Sequence, residues 1–156
     1  MSNRSAVVAI LVLAAAAAFG PGAARAAAGP GAVYFETNTT PKNFVQVFFR
    51  NANGSLRKGP LVRTGGVGSN TASPFASDGF PLLDSANSVV LSRNGKLLFV
   101  VNAGSNTIST FTVTAKGLVL TDHRPSRGTL PVSVATATKN GKTLVYVVNQ
   151  RSGNIV

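Results

Sequence analysis

The stretch that decides the fold is Lys96-Leu-Leu-Phe-Val-Val-Asn-Ala-Gly-Ser-Asn-Thr-Ile-Ser-Thr-Phe-Thr-Val-Thr114. Leu97 to Val101 is a continuous apolar run of strand length, rich in β-favouring residues, as expected of a strand buried on both faces. Ala103-Gly104-Ser105-Asn106 is turn chemistry, because glycine tolerates positive φ while serine and asparagine bond nearby backbone. Beyond it Ile108, Thr110 and Thr112 alternate with Ser109, Phe111 and Val113. That period of two predicts a second strand with unlike faces, further from the centre of the sheet.

The same pattern returns later in the chain. Leu98 to Ile108 aligns with Val145 to Ile155 at an offset of 47, so that Val100, Val101, Asn102, Ser105 and Ile108 match Val147, Val148, Asn149, Ser152 and Ile155. Upstream, Asn94-Gly95-Lys96 matches Asn140-Gly141-Lys142 at offset 46, which makes Thr143 the inserted residue. Residues 33 to 56 follow the scheme more loosely: an aromatic-apolar strand, a polar turn and an aromatic strand, then Gly54-Ser55-Leu56. A period in the forties with about four strands per unit predicts β-propeller blades. A β-sandwich is the alternative, but it has no reason to repeat the asparagine and the Asn-Gly turns in phase. The expected fold is all-β, a partial β-propeller of about two to three four-stranded antiparallel blades. The blade units fall at about 33–62, 87–124 and 132–156 within a domain spanning 29–156.

Between the repeats, Val33 to Phe35 and Phe44 to Phe49 read as strands, and the first group lacks an innermost one. Asn51-Ala52-Asn53-Gly54-Ser55 reads as a hairpin tip in which Asn-Gly suits a type I′ turn. Leu56 to Val62 reads as an outer strand broken by Gly59-Pro60, with the proline suited to a sheet edge. Arg63 to Asn87 is a long irregular segment, either functional or mobile, or a tolerated insertion. A closed propeller needs more such units than 156 residues allow, so the sequence reads as a fragment, a truncated product or a protein that must assemble.

Residues 1 to 28 read as an export signal, which places the protein in the periplasm or outside the cell. Arg4 supplies the positive start, Ala6 to Phe19 the apolar run, and Ala24-Arg25-Ala26 a small-x-small cleavage site. A membrane anchor is the alternative, but the run is shorter than the roughly 20 residues a span needs. No membrane span is therefore expected after cleavage. The chain has no cysteine, which excludes disulfides and thiolate ligands.

A net charge of +11, against only Glu36, Asp78, Asp84 and Asp122, predicts attraction to anionic surfaces or polymers. The basic residues are scattered and no nucleic-acid motif is present, so no specific nucleic acid is expected. Propeller topology places Arg50, Arg57, Arg93, Lys96, Lys139 and Lys142, together with Lys58 and Lys116, near turns of one face. A solvated, solubilising face is the plain reading, and association with an anionic envelope or polymer is the sharper one.

Phe99-Val100-Val101-Asn102 and Tyr146-Val147-Val148-Asn149 resemble the Tyr-Val-x-Asn blade signature of the lactonase-type seven-bladed propellers. That family includes 6-phosphogluconolactonase-like and carboxymuconate-cyclase-like proteins. Gly117-Leu118 and Gly128-Thr129-Leu130-Pro131 are similar to its blade boundaries, and the resemblance covers about residues 33–156. It implies hydrolysis of a lactone ring, with a small anionic or lactone ligand near the channel mouth. The rival function is a non-catalytic binding or envelope-associated module.

Within that frame the ligand-side turns carry Ser105, Asn106 and Arg127, with Lys42 and Arg151 alongside. Arg127 suits an anionic group, because a guanidinium fork matches carboxylate or phosphate. Asn102 and Asn149 read as structural residues that bond the backbone of their own turns. His123 and Asp122 are strand neighbours and so point to opposite faces, which argues against a dyad. There is no nucleophile elbow, phosphate loop or metal-ligand cluster, so no catalytic residue, cofactor or metal is assigned.

Overall fold

A computed structural model describes residues 31–69, 85 and 87–156. The export segment, Asp78, Asp84 and most of the long segment after Arg63 lie outside the described residues. Ten strands form three antiparallel sheets. The first holds β1 (Gly31–Glu36), β2 (Phe44–Arg50) and β3 (Leu56–Arg63). The second holds β4 (Val89–Leu91), β5 (Leu97–Asn102), β6 (Thr107–Thr114) and β7 (Gly117–Pro125). The third holds β8 (Pro131–Lys139), β9 (Lys142–Asn149) and β10 (Asn154–Ile155). Within each sheet the strands follow chain order, which is the meander expected of propeller blades.

The sheets pack face to face, and β5 of the second sheet is covered by a neighbour on each side. Alternate side chains of a strand point to opposite faces. Leu98 and Val100 accordingly face the first sheet and form one core with Val45, Val47, Phe111 and Leu118. Phe99 and Val101 face the third sheet and form a second core with Ile108, Val134 and Val147. The apolar run is continuous because neither face of β5 meets water. β6 departs from the sequence expectation at its first half, where Ile108 and Ser109 are buried on opposite faces, while beyond the buried Phe111 the strand becomes progressively more exposed.

Two Asn-Gly pairs behave differently. Asn140 and Gly141 both have positive φ (52° and 72°) and join the paired residues Lys139 and Lys142, the two-residue type I′ geometry. Asn53-Gly54 does not form the type I′ turn expected of it. Only Gly54 is left-handed, and its N–H donates to the Asn51 carbonyl at 2.9 Å across a longer loop.

Gly59-Pro60 does not break β3. The two residues bulge opposite Val47, and the Gln46 side-chain amide donates to the carbonyls of Gly59 (2.9 Å) and Val47 (2.9 Å). β3 is an edge strand of its sheet, where the missing proline donor costs little.

Burial sets the expected cost of truncation. Phe111 is fully buried between the first and second sheets. Phe111→Ala should destabilise the protein by about 3–5 kcal/mol in urea unfolding, whereas the half-exposed Val119→Ala should cost under about 1 kcal/mol.

Candidate functional site

The ends of the sheets differ in what they do. At one end lie the β5–β6 and β9–β10 turns and the segments leaving β3 and β7. At that end the sheets are bonded to one another by a set of contacts that occurs twice.

After β3 runs Thr64-Gly65-Gly66-Val67, and after β7 runs Ser126-Arg127-Gly128-Thr129. The Thr64 N–H donates to the Asn43 carbonyl at 3.0 Å, and the Ser126 N–H to the Asn106 carbonyl at 2.8 Å. The Val67 carbonyl accepts from the Gly104 N–H at 3.0 Å, and the Thr129 carbonyl from the Arg151 N–H at 3.1 Å. The Val67 N–H donates to the Ser105 hydroxyl at 3.1 Å, and the Thr129 N–H to the Ser152 hydroxyl at 2.9 Å. Gly66 and Gly128 lie so close to the Asn102 and Asn149 side chains that a Cβ at either would overlap them.

The two asparagines complete the junctions. Asn102 is fully buried. Its Oδ1 accepts from the Thr64 hydroxyl (2.6 Å) and the Asn43 amide (3.1 Å), and its Nδ2 donates to the Ser109 hydroxyl (2.8 Å). The Ser109 hydroxyl in turn donates a hydrogen bond to the Thr64 carbonyl at 2.7 Å. Asn149 is equally buried, and its Nδ2 donates to the Ser126 carbonyl at 3.1 Å. Its Oδ1 has no partner among the described residues, because the Ser126 hydroxyl turns instead to the Gly128 carbonyl. Both side chains therefore reach across to the neighbouring sheet, not back into their own turns.

The expected ligand residues sit in this same end with different employment. Ser105 is the staple hydroxyl to Val67 and is also bonded to Thr107 at 2.8 Å. The Asn106 Oδ1 accepts from the Leu130 N–H at 2.8 Å. Arg127 has positive φ (55°), its carbonyl accepts from the Asn154 amide, and its side chain is exposed. It lines a cavity of about 260 Å³ between the second and third sheets, with Phe99, Ile108 and Val147 as apolar wall and Asp122 and Arg124 at the polar side.

Asp122 is held below its ordinary range by Arg124, 2.6 Å away on the exposed face of β7. The His123 ring lies 3.0 Å from the Thr107 hydroxyl, so it and Asp122 make no side-chain dyad. Among the described residues, no group of three or more His, Asp or Glu could hold a metal ion.

Sequence reasoning missed Glu36. It ends β1 at the junction end and is buried, 6% exposed. Its Oε1 accepts from the Asn43 amide at 2.7 Å, which links it through Asn43 to Asn102. Oε2 makes no well-formed hydrogen bond to a described residue, although the Ser88 hydroxyl is near enough to favour its charge. Burial outweighs both neighbours and pushes the carboxyl up to about 7. Nothing in a strand reading of Tyr34-Phe35-Glu36 flags this, because the burial comes from the second sheet.

Two outcomes test the junction. Asn102→Ala strands the Thr64, Asn43 and Ser109 groups and should cost about 2–4 kcal/mol in denaturant unfolding, more than Asn149→Ala, which loses one bond. The folded carboxyl of Glu36 titrates above its unfolded value, so it binds its proton more tightly in the native state. Its contribution is complete below about pH 4.5 and is lost as pH rises through about 7. Glu36→Gln should flatten that decline and stabilise the protein at pH 8 by up to about 3 kcal/mol, read as unfolding midpoints across pH.

A family model described as "Lactonase, 7-bladed beta-propeller" matches residues 42–156. No curated protein and no solved structure matches the chain closely enough for comparison.

Proposed function

Because the chain belongs to the seven-bladed lactonase propeller family, we propose that it serves hydrolysis of a lactone ring, as an exported protein whose sheet-junction end is the ligand side. The three described sheets are fewer than the family's seven blades. In this reading the chain supplies part of such a ring.

The observation that carries the enzyme reading is the family match over residues 42–156, and the Glu36 carboxyl is the candidate general base. A general base works best with a pKa near the working pH, and Glu36, pushed by burial up to about 7 at the junction end, meets that condition. In the proposed step its carboxylate takes a proton from water while the oxygen of that water adds to the lactone carbonyl. The tetrahedral intermediate collapses with cleavage of the ring C–O bond. The proton returns to the ring oxygen, and the product is the open hydroxy acid. Arg127, exposed on the same end, would hold a carboxylate or phosphate on the substrate.

A second reading, a non-catalytic binding module, is favoured by the employment of Ser105 and Asn106. The Ser105 hydroxyl and the Asn106 Oδ1 are committed to the junction and are not offered to a substrate.

A panel of γ- and δ-lactones, followed by acid release with the full chain, separates the two. The enzyme reading expects turnover that rises with pH through about 7. It also expects at least a hundredfold loss in Glu36→Gln and a raised KM with little change in kcat in Arg127→Ala. No turnover on any lactone rejects it and leaves binding.

A further inference from the structure

The other end of the sheets has a different character. It holds the β2–β3, β4–β5, β6–β7 and β8–β9 turns, since successive turns of an antiparallel meander alternate ends. The junction contacts fix all three sheets with the same end up, so these turns share one side of the molecule.

Each turn brings cations. Arg50 and Arg57 flank the first, with Lys58 beside them, and the Arg57 guanidinium lies over the Phe49 ring at 4.9 Å. Arg93 and Lys96 flank the second, Lys116 sits in the third, and Lys139 and Lys142 close the fourth. All but Arg50 are exposed. Both described acidic residues lie towards the other end: Glu36 closes β1 at the junction, and Asp122 sits in the half of β7 nearer it. Among the described residues the seven exposed cations of this side, Arg57, Lys58, Arg93, Lys96, Lys116, Lys139 and Lys142, have no carboxylate beside them.

We infer that this basic side is a docking surface for a linear phosphate polymer, recognised through its repeated charge. Each hairpin offers one to three cations, and a chain of phosphates crossing the row of turns engages several of them at once. The turn tips are Asn53-Gly54, Asn94-Gly95, Lys116-Gly117 and Asn140-Gly141. They carry no aromatic ring on which a nucleobase could stack and no large apolar side chain to enter a bilayer. Leu56 and Leu91 are exposed beside the first two turns and the Phe49 ring lies under Arg57, but the feature that repeats at every turn is charge, which suits a polymer of repeated charge. The inference is independent of the lactone reading, which concerns the opposite end.

Long-chain inorganic polyphosphate is the probe. Its binding to the full chain is measured by fluorescence anisotropy across NaCl concentrations. Two variants of equal net charge are compared: one reverses Arg93, Lys96, Lys139 and Lys142 to Glu, the other reverses Lys42, Arg63, Arg127 and Arg151 to Glu. The first should weaken binding at least tenfold and lower the slope of log affinity against log salt by about 3. The second should weaken it less than threefold. Equal losses in the two overturn the inference, because net charge alone would then explain binding. Tighter binding to an equally charged oligothymidylate, or to vesicles containing phosphatidylglycerol, overturns the assignment of the partner. Should either reversal fail to fold by circular dichroism, the matching glutamine sets give the same comparison, with at least a threefold difference expected.

Discussion

A buried primary amide must satisfy an acceptor and two donors, and Asn102 finds its partners in two sheets at once. Its own sheet supplies Ser109, while Asn43 and Thr64 come from the first sheet. Apolar contacts between sheets tolerate sliding, because one methyl is much like another. An amide does not, since a displacement of one residue would leave several buried polar groups unpaired. The two cores on either side of β5 supply the bulk of the burial, and the asparagine junction sets the one register in which both cores close.

The sequence disclosed this arrangement unevenly. The strand following Lys96 is legible because continuous burial writes a continuous apolar run, and Asn102 is legible because it repeats at Asn149. The other half of the junction was not found. Thr64-Gly65-Gly66-Val67 and Ser126-Arg127-Gly128-Thr129 are also a repeat, but 62 positions apart (64 to 126) where the strands repeat at 47. A search at one period passes over a partner whose spacing is stretched by the long segment after the first sheet. The signal was a hydroxyl, then any residue, then glycine, and the physical reason for the glycine is the asparagine pressed against it.

Candidate site residues were legible as to place and not as to employment. Turn position located Ser105, Asn106 and Arg127 at the junction end, but composition cannot say that a serine hydroxyl is already spent on a neighbouring sheet's N–H. Glu36 failed in the opposite direction. On its own strand it is one polar residue after an aromatic pair, and only the packing of the second sheet removes it from water and lifts its pKa. The segregation of charge was legible, because it follows from which hairpins share an end and needs no side-chain contact to be known.

The second sheet carries one half of the junction on each of its faces: Asn102, Gly104 and Ser105 receive the preceding neighbour, and Ser126, Gly128 and Thr129 are received by the following one. Such an interface is heterologous, as in a head-to-tail array of subunits. A copying event that duplicated this unit within its gene would bring both halves of the fastener along. The number of units could then grow by simple reiteration, with the rotation per step deciding how many complete a circle.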